Sequence, residues 1–359
     1  MSKASKIASF DPNGPGAADS GLFGLPFSCE EADIVLVPVP WEVTTSYGGG
    51  TAHGPEAILE ASRQVDLHHP EFPELWKRGI AMDEVPQALV EQSAALKKEA
   101  ARVIEVLVEG GSAAQKARAK KALKLVNEEC AVMNEWVEAR CGHWLDQGKR
   151  VGLVGGDHST PLGFLRAQAT RHKHFGILHV DAHLDLRIAY EGFTYSHASI
   201  LYNTLPLKAV ERVVSVGIRD FCAQENDVLH GTKGRVRMHH NADLRREQYA
   251  GTTWKKQVDR IIDQLPQKVH VTFDIDGLDP TLCPNTGTPV PGGLQFDEAT
   301  YLLSRLAAKR QVIGFDLVEV SPGNDSSASA EASADAWDAN VGARLLFHLC
   351  GVLATGTGK

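Results

Sequence analysis

Six side chains that commonly bind divalent metals occur in three short stretches of the sequence, and each stretch closes an apolar run. The stretches are GGDHS, DAHLD and TFDID, and the side chains are His158, Asp181, His183, Asp185, Asp274 and Asp276. Four carboxylates and two imidazoles exceed what one ordinary zinc site uses. Oxygen and imidazole ligands of this kind predict two divalent ions that share a water molecule.

The spacing within each stretch has a structural meaning if the stretch is extended. Residues i, i+2 and i+4 of a β-strand project from the same face. On this reasoning Asp181, His183 and Asp185 point together, as do Asp274 and Asp276. Because carboxylates are rarely buried unless they are paired or metal-bound, we expect these groups to hold cations rather than to lie in solvated loops.

The apolar runs before these stretches predict the elements that position them. Near-continuous runs of Val, Ile and Leu, separated by helical patterns, predict an α/β protein with a parallel sheet covered on both faces. Strands are predicted at 33–40, 151–154, 177–180, 213–218, 269–275 and 312–319, and helices from about 56, within 86–147, and at 160–172, 254–265, 297–309 and 338–350. Ligands bind at the carboxyl ends of strands in such sheets, so the three stretches and Glu319 should meet in one crevice.

The same patterns predict the domain organisation. One α/β domain is expected over residues 33–350, since no convincing linker interrupts them. Residues 1–32, rich in Gly, Pro and Ser, predict an irregular N-terminal arm, and residues 351–359 predict a frayed tail. The low-complexity segment 321–335 is typical of a surface loop.

Composition excludes several classes of protein. The 359 residues are 43% hydrophobic and 23% charged, which is ordinary for a globular protein, and the net charge of −8 argues against a nucleic-acid-binding surface. No apolar run approaches the roughly 18 residues of a membrane span, and the N-terminus lacks the apolar stretch of a signal peptide. The six cysteines are scattered without a CxxC pair, which favours a reduced, cytoplasmic setting.

The three stretches also carry a family resemblance. In their order along the chain, GGDHS, DAHLD and TFDIDGLDP resemble the signatures of the ureohydrolase family, which includes arginases and agmatinases, and DLVEVSP and TGTPVPGGL match two further family segments. The resemblance implies a three-layer α/β/α sandwich around a mostly parallel, eight-stranded sheet. It also implies a homo-oligomer, a trimer or hexamer, and a hydrolase that acts on linear amidines through a metal-bridging hydroxide.

Carried over residue by residue, the resemblance implies two ligand sets. One ion is assigned to His158, Asp181, Asp185 and Asp274. The other is assigned to Asp181, His183, Asp274 and Asp276, so that Asp181 and Asp274 bridge the pair. Asp185 also holds the bridging hydroxide through a hydrogen bond. Two ions of nickel or of manganese are expected, although oxygen- and imidazole-rich sites accept manganese, cobalt or nickel.

Two further residues are expected to complete the mechanism. His197, in FTYSHASI, matches the family's catalytic histidine, and a histidine can protonate a departing nitrogen; the alternative is a surface histidine in a polar loop. Glu319 matches the family glutamate that faces the substrate guanidinium. A carboxylate binds and orients a guanidinium through two parallel hydrogen bonds. The alternative is that Glu319 is a buried structural carboxylate. Asp279 and Thr288 are expected to brace the metal loop and the rim.

The substrate depends on less specific features. Arg187 stands where arginases carry an asparagine, and its charge would repel the cationic α-amino group of arginine. Two alternatives stay open for Arg187. It could pair with a substrate carboxylate, as in formimidoylglutamases, or it could be a structural arginine. VPWEVTTSYGGGTAHGP and AYEGFTYSHASILYN are similar to an agmatinase-like branch that contains guanidine hydrolases, which prefer nickel. Trp41, Tyr47 and Tyr195 could narrow the pocket. The resemblance therefore implies hydrolysis of guanidine or a small alkylguanidine, with agmatinase or guanidinobutyrase as the alternative.

Other functions fit the sequence less well. An inactive regulatory subunit would be expected to lose ligands, whereas all six, with His197 and Glu319, are present. A two-metal phosphoesterase would need basic residues to clamp phosphate, whereas this cluster is acidic and favours a small cationic guanidino substrate. GGGT and VGGDH lack the GxGxxG arrangement of a dinucleotide site.

Overall fold

Eight strands form one sheet in which every pairing is parallel. The computed structural model describes residues 2–17, 20–323 and 337–355. The strands are β1 (Ile34–Val39), β2 (Ile80–Met82), β3 (Arg150–Gly155), β4 (Phe175–Val180), β5 (Val210–Ile218), β6 (Val236–His240), β7 (Lys268–Asp274) and β8 (Gln311–Val318). Their order across the sheet is β2-β1-β3-β8-β7-β4-β5-β6. The predicted parallel, eight-stranded sheet is confirmed.

Helices cover both faces of this sheet. They are α1 (Lys3–Ser9), α2 (Gly54–Ser62), α3 (Gln87–Glu109), α4 (Ala113–Asp146), α5 (Leu162–Arg171), α6 (Ile200–Thr204), α7 (Ala223–Gly231), α8 (Asn241–Tyr249), α9 (Trp254–Ile262), α10 (Phe296–Lys309) and α11 (Trp337–Thr355). None of the helices in the described parts of the chain has the length and apolarity that a membrane crossing requires.

Alternation along the strands produces the two outer layers. Ile34 and Leu36 of β1 belong to the core formed with α2, α9, α10 and α11, whereas Val35 and Val37 belong to the core formed with α3 and α4. Successive strand residues face opposite sides of a sheet, so a continuous apolar run buries both faces. The three-layer sandwich follows from these runs.

Two strands were not predicted, and both lie at the sheet edges. β2 has only three residues, and β6 reads VRMHH, with Arg237 exposed. An edge strand is covered less completely than a central one, so it does not need the apolar run that marks the central strands. The sequence pattern therefore detects the middle of this sheet and misses its ends.

The structure corrects both predicted termini. The arm at 1–32, predicted to be irregular, contains helix α1, which is tied down by ion pairs of 2.6 Å from Lys3 to Asp33 and from Lys6 to Glu31. Farther along the arm, Leu22 and Phe23 are buried in the core. Helix α11 continues to Thr355, so the prediction of a frayed tail is wrong for 351–355. Residues 356–359, and most of the 321–335 segment, lie outside the described residues.

Candidate metal centre

The carboxyl ends of four adjacent strands bring the predicted residues together. β3, β8, β7 and β4 are neighbours in the sheet, and all run in the same direction. His158 follows β3, Glu319 follows β8, Asp274 ends β7 and Asp181 follows β4. These side chains therefore meet at one edge, as the rule for parallel sheets predicts.

The DAHLD stretch lies beyond the end of β4, so the prediction that its side chains share one face of a strand is wrong. β4 ends at Val180, so Asp181, His183 and Asp185 lie in the loop that follows it. Asp185 has φ 54°, in the left-handed region, and Asp276 lies in a 3₁₀ turn after β7. The carboxylates converge because the chain turns sharply over the sheet edge, and the pleat of a strand contributes only Asp274.

The first group of ligands surrounds one nitrogen of His158. Its Nδ1 lies 2.9 Å from an oxygen of Asp181 and 3.2 Å from oxygens of Asp185 and Asp274. All four side chains are buried, yet Nδ1 makes no hydrogen bond of acceptable geometry. A buried nitrogen that lacks a partner and faces three carboxylates is the arrangement a cation would satisfy. These residues therefore fit a divalent metal.

The second group shares Asp181 with the first. His183 Nδ1 lies 3.0 Å from Asp276 Oδ2 and 3.5 Å from Asp181 Oδ1, whereas the other oxygen of Asp181 faces His158. One carboxylate thus presents an oxygen to each group. Asp274 touches the first group, and its Oδ1 accepts the Asp276 N–H at 2.8 Å, so its bridging role stays a prediction.

Without a cation the cluster must hold protons. Burial raises the pKa of Asp185 to about 6, and the Asp181 charge adds to the effect. Burial also raises the pKa of Asp274. Burial opposes the charged form of His158, but the three carboxylates that face Nδ1 outweigh burial and raise the pKa of His158 well above the ordinary value. A divalent ion replaces such protons, so metal affinity should increase with pH.

His197 and Glu319 line one pocket above the cluster. The half-buried His197 donates its backbone N–H to Thr44 Oγ1 at 3.3 Å. Burial, together with the charges of His183 and His158, lowers the pKa of His197 to about 4. His197 lines the pocket together with Glu319, which favours the predicted catalytic role over a surface histidine.

Glu319 is held in a strained conformation. Its φ is 61°, its side chain is 5% exposed, and Oε1 accepts the His158 backbone N–H at 2.9 Å. Burial and the charge of Asp157 raise its pKa well above the ordinary value. Left-handed backbone at a non-glycine residue costs of order 1–3 kcal/mol and persists mainly at functional sites. Asp185 and Glu319 both carry this strain.

Two glycines close the pocket over Glu319. The Gly48 N–H donates to the Gly287 carbonyl at 3.0 Å, which joins the loop after β1 to the loop after β7. Glu42, buried beneath the first loop, accepts bonds from Gly50 N at 2.7 Å and from Lys97 Nζ. The pocket has a volume of about 10 Å³, and its lining residues are Thr45, Ser46, Tyr47, Gly48, His197, Gly287, Thr288 and Glu319.

The other residues proposed to shape the pocket have separate roles. Trp41 is fully buried in the core, and Tyr195 packs under Arg166, so neither narrows the pocket. Tyr47 lines the pocket but is 85% exposed. Thr288 lies at the rim, as expected, and Asp279 accepts from Thr281 within its own turn.

Arg187 is held away from the pocket lining. Its guanidinium lies 4.5 Å above the ring of Tyr190, and its Nε is 3.8 Å from a carboxylate oxygen of Glu225. Both partners are typical of an arginine that braces a loop. The structural interpretation of Arg187 is therefore favoured over pairing with a substrate carboxylate.

The sequence reasoning missed a set of buried polar residues beneath the cluster. His179, Thr272 and Asp316 are fully buried and stand within the apolar runs of β4, β7 and β8. Burying polar groups is unfavourable unless they are bonded, so polar residues inside buried strands are the signal that could have revealed them.

Comparisons with known proteins agree with this geometry. The model of a family described as the Arginase family matches residues 32–342. An N(1)-aminopropylagmatine ureohydrolase of Thermus thermophilus is 32% identical over 331 residues, covering 90% of this chain and 91% of that protein. An agmatinase of Enterobacter sp. is 31% identical over 317 residues, covering 86% and 87%.

A solved structure shares the fold. The agmatine ureohydrolase of Thermoplasma volcanium superposes with a TM-score of 0.68 at 22% identity and covers 98% of each chain. The family match spans the four strand ends that carry the cluster. This chain belongs to the arginase family.

Proposed function

We propose that the protein is a two-metal hydrolase that cleaves a C–N bond of a small guanidino compound, giving urea and either ammonia or a small amine. The observation that carries the proposal is the carboxylate of Asp181, which presents one oxygen to the His158 group and the other to the His183 group. Beside this cluster, Glu319 and His197 share a closed pocket. A paired cation site next to a carboxylate pocket suits attack by water on a cationic substrate.

Each residue of the site would have a distinct role in the reaction. Two divalent ions held by the cluster would lower the pKa of a shared water toward about 7 and so supply a nucleophile at neutral pH. Asp185, at the cluster, would orient that water through a hydrogen bond. Glu319 would pair with the planar guanidinium and hold its carbon toward the cluster. His197, which lines the pocket, would accept a proton from the attacking water and deliver it to the departing nitrogen.

The charges around the pocket favour a cation. Glu319 lies in the pocket and Asp157 is buried beside the cluster, whereas Lys97 is paired with Glu42. Among the described residues that line the pocket, His197 is the only one with a basic side chain. A phosphate would find no clamp here, and a guanidinium finds a carboxylate.

The pocket is narrow. A volume of about 10 Å³ is close to what one water molecule occupies, so even a guanidinium group needs the Gly48–Gly287 contact to open, and a small substrate needs less opening than one with a long amine tail. Agmatinase activity is the alternative, because the Enterobacter relative is an agmatinase and the Thermus relative is named for aminopropylagmatine. Guanidinobutyrase activity is a further alternative, and Arg187, held outside the lining, gives it no support.

A substrate panel at defined metal content tests the proposal. Protein stripped of metal and reloaded with nickel or manganese should release urea fastest from guanidine or methylguanidine, compared with agmatine, 4-guanidinobutyrate, arginine and formimidoylglutamate. The same panel on Asp181→Asn, which removes the shared carboxylate charge, should show no turnover. Dominant turnover of agmatine would reject the first choice in favour of the alternative. A fully loaded protein inactive on every compound would indicate a regulatory subunit.

Metal identity, assembly and compartment are part of the proposal. We expect nickel or manganese at two ions per chain, because the ligand set accepts both and intrinsic affinity rises toward nickel. Elemental analysis of native protein decides between them. A cytoplasmic trimer or hexamer is expected from the family resemblance, and light scattering of the purified protein measures the assembly.

A further inference from the structure

A row of polar side chains crosses the sheet directly beneath the metal ligands. Ser215, His179, Thr272 and Asp316 stand on the adjacent strands β5, β4, β7 and β8, and each is the register partner of the next. All four are 0% exposed. His179 precedes Asp181 by two residues, and Thr272 precedes Asp274 by two. We call these four residues the polar row.

One half of the polar row reaches His158. Thr272 donates its hydroxyl hydrogen to Asp316 Oδ1 at 2.6 Å, and the same hydroxyl oxygen lies 2.9 Å from His158 Nε2. The second oxygen of Asp316 lies 2.8 Å from His270 Nε2. His158 is thereby connected through one hydroxyl to a fully buried carboxylate.

The direction of these bonds fixes the form of His158. A hydroxyl has a single hydrogen, and Thr272 gives it to Asp316, since a carboxylate only accepts. Toward His158 the threonine oxygen must therefore accept, so Nε2 carries a hydrogen. A neutral His158 then has its free lone pair on Nδ1, the nitrogen that faces Asp181, Asp185 and Asp274. A metal ligand needs that lone pair.

The other half of the polar row reaches Asp181. His179 Nε2 lies 2.8 Å from Asp181 Oδ2, and its Nδ1 lies 3.0 Å from Ser215 Oγ. A ring nitrogen of His179 lies within 4.8 Å of ligand atoms of His158, Asp181 and Asp185, so His179 is close enough to share a metal ion with them. Both of its nitrogens are already bonded, however, and a nitrogen that donates to a carboxylate does not bind a metal. His179 therefore orients the shared carboxylate and is not itself a ligand.

We infer that the polar row is a positioning layer for the metal centre. Thr272 and Asp316 keep a hydrogen on Nε2 of His158, so that Nδ1 is the nitrogen that an ion can bind, and Ser215 and His179 hold Asp181 with an oxygen toward each ligand group. The inference rests on the metal-binding part of the proposed function and is independent of which guanidino compound is the substrate. Groups that orient ligands in this way typically change metal affinity about 10- to 100-fold when they are removed.

Two substitutions at Thr272 separate the hydrogen bond from packing. Thr272→Val keeps the shape and removes the hydroxyl, whereas Thr272→Ser keeps the hydroxyl and removes a methyl group. Thr204→Val is the matched control, because Thr204 is equally buried but its hydroxyl donates to the Leu201 carbonyl at 2.7 Å. The full chain, stripped of metal, is titrated with manganese and with nickel, and thermal unfolding of the metal-free form is recorded beside it.

The expected result is a loss of metal affinity that stability does not explain. Thr272→Val should bind both ions about 10- to 100-fold more weakly, whereas Thr272→Ser and Thr204→Val should bind as the wild type does. Wild-type affinity in Thr272→Val, or a loss in Thr272→Ser equal to that in Thr272→Val, would overturn the inference and leave the proposed function intact. A wild-type protein that binds no divalent ion would overturn both.

Asp316→Asn provides a second test if Thr272→Val does not fold. His270 Nε2 needs an acceptor, so the new amide oxygen should face His270 and the amide NH₂ should face Thr272. The threonine hydroxyl then turns its hydrogen toward His158, which favours the form with hydrogen on Nδ1. Metal affinity should fall by at least as much as in Thr272→Val, and unchanged affinity would contradict the proposed direction of the bonds.

Discussion

Replacing Glu319 by glutamine is the sharpest test of how the pocket recognises its substrate. Glutamine has nearly the size of glutamate and keeps an oxygen that can accept the His158 backbone N–H, which now bonds Oε1 at 2.9 Å. The substitution removes the negative charge and converts one acceptor into a donor. The backbone strain at φ 61° is unchanged, so the variant isolates the carboxylate from the conformation that presents it.

The expected loss follows from the two hydrogen bonds that a carboxylate makes with a guanidinium. The one bond that a glutamine oxygen can still accept loses its charge assistance, which is worth about 1 kcal/mol. A glutamine NH₂ also faces a guanidinium N–H, and a buried donor left without an acceptor costs about 1–3 kcal/mol. Together these terms predict about 2–4 kcal/mol, or about a 30- to 1,000-fold decrease in kcat/KM.

The stability of the metal-free protein should not fall with the activity in Glu319→Gln. Burial and the neighbouring Asp157 raise the pKa of Glu319 in the folded protein above its unfolded value. When a carboxyl group has a higher pKa in the folded protein than in the unfolded chain, the folded state loses stability as the pH rises from the lower pKa to the higher one. At neutral pH the metal-free Glu319→Gln protein avoids this loss, so it should melt at the same temperature as the wild type or at a higher one.

The assay measures urea release, metal content and thermal unfolding on the same preparations. Glu298→Gln serves as the control, because Glu298 is an ion-paired glutamate on α10, bonded to Arg245. The expected pattern is a large loss of kcat/KM with two metal ions retained. An unchanged kcat/KM would refute the pairing of Glu319 with the substrate, and loss of metal in proportion to activity would assign Glu319 to the metal centre instead.

Three further predictions follow. In Gly48→Ala the new Cβ would lie 2.5 Å from the Gly287 carbonyl oxygen, so the contact between the two glycines should open and the ratio of kcat/KM for agmatine to that for guanidine should rise. Gly231→Ala, with nothing within 4 Å of its Cβ, is the control, and an unchanged ratio in Gly48→Ala would show that the Gly48–Gly287 contact does not select substrates by size. Burial raises the pKa of Asp185 to about 6, so metal-free protein should lose stability as pH rises from about 4 to about 6, and the melting-temperature gap between loaded and stripped protein should widen over that window; a constant gap would oppose this. Arg187→Gln should leave the preference between 4-guanidinobutyrate and agmatine unchanged, whereas a loss confined to the anionic compound would assign Arg187 to substrate binding.

The residue types and their positions after apolar runs predicted which side chains meet at one edge of the sheet. GGDHS, DAHLD and TFDID each follow or close a central strand, and central strands of a parallel sheet must be apolar on both faces. Because the carboxyl ends of such strands share one edge, the convergence of His158, Asp181 and Asp274 needed no knowledge of distant contacts.

The local geometry of the ligands was beyond the sequence. The i, i+2, i+4 argument failed because β4 stops at Val180 and the chain turns through a left-handed Asp185. Whether a strand continues for five more residues depends on the hydrogen bonds its neighbour offers, and spacing alone does not report them. A turn and a strand can both bring the same carboxylates together.

What the sequence by itself determined is the chemistry available: four carboxylates, two imidazoles, a histidine and a glutamate, placed by local patterns at the ends of buried strands. What only the tertiary structure decided is how those groups are held. The register of four strands aligns Ser215, His179, Thr272 and Asp316 into one row, and Gly48 meets Gly287 across the pocket. Hydrogen bonds between residues far apart in the chain depend on distances of a few tenths of an ångström, and only the packed fold sets those distances.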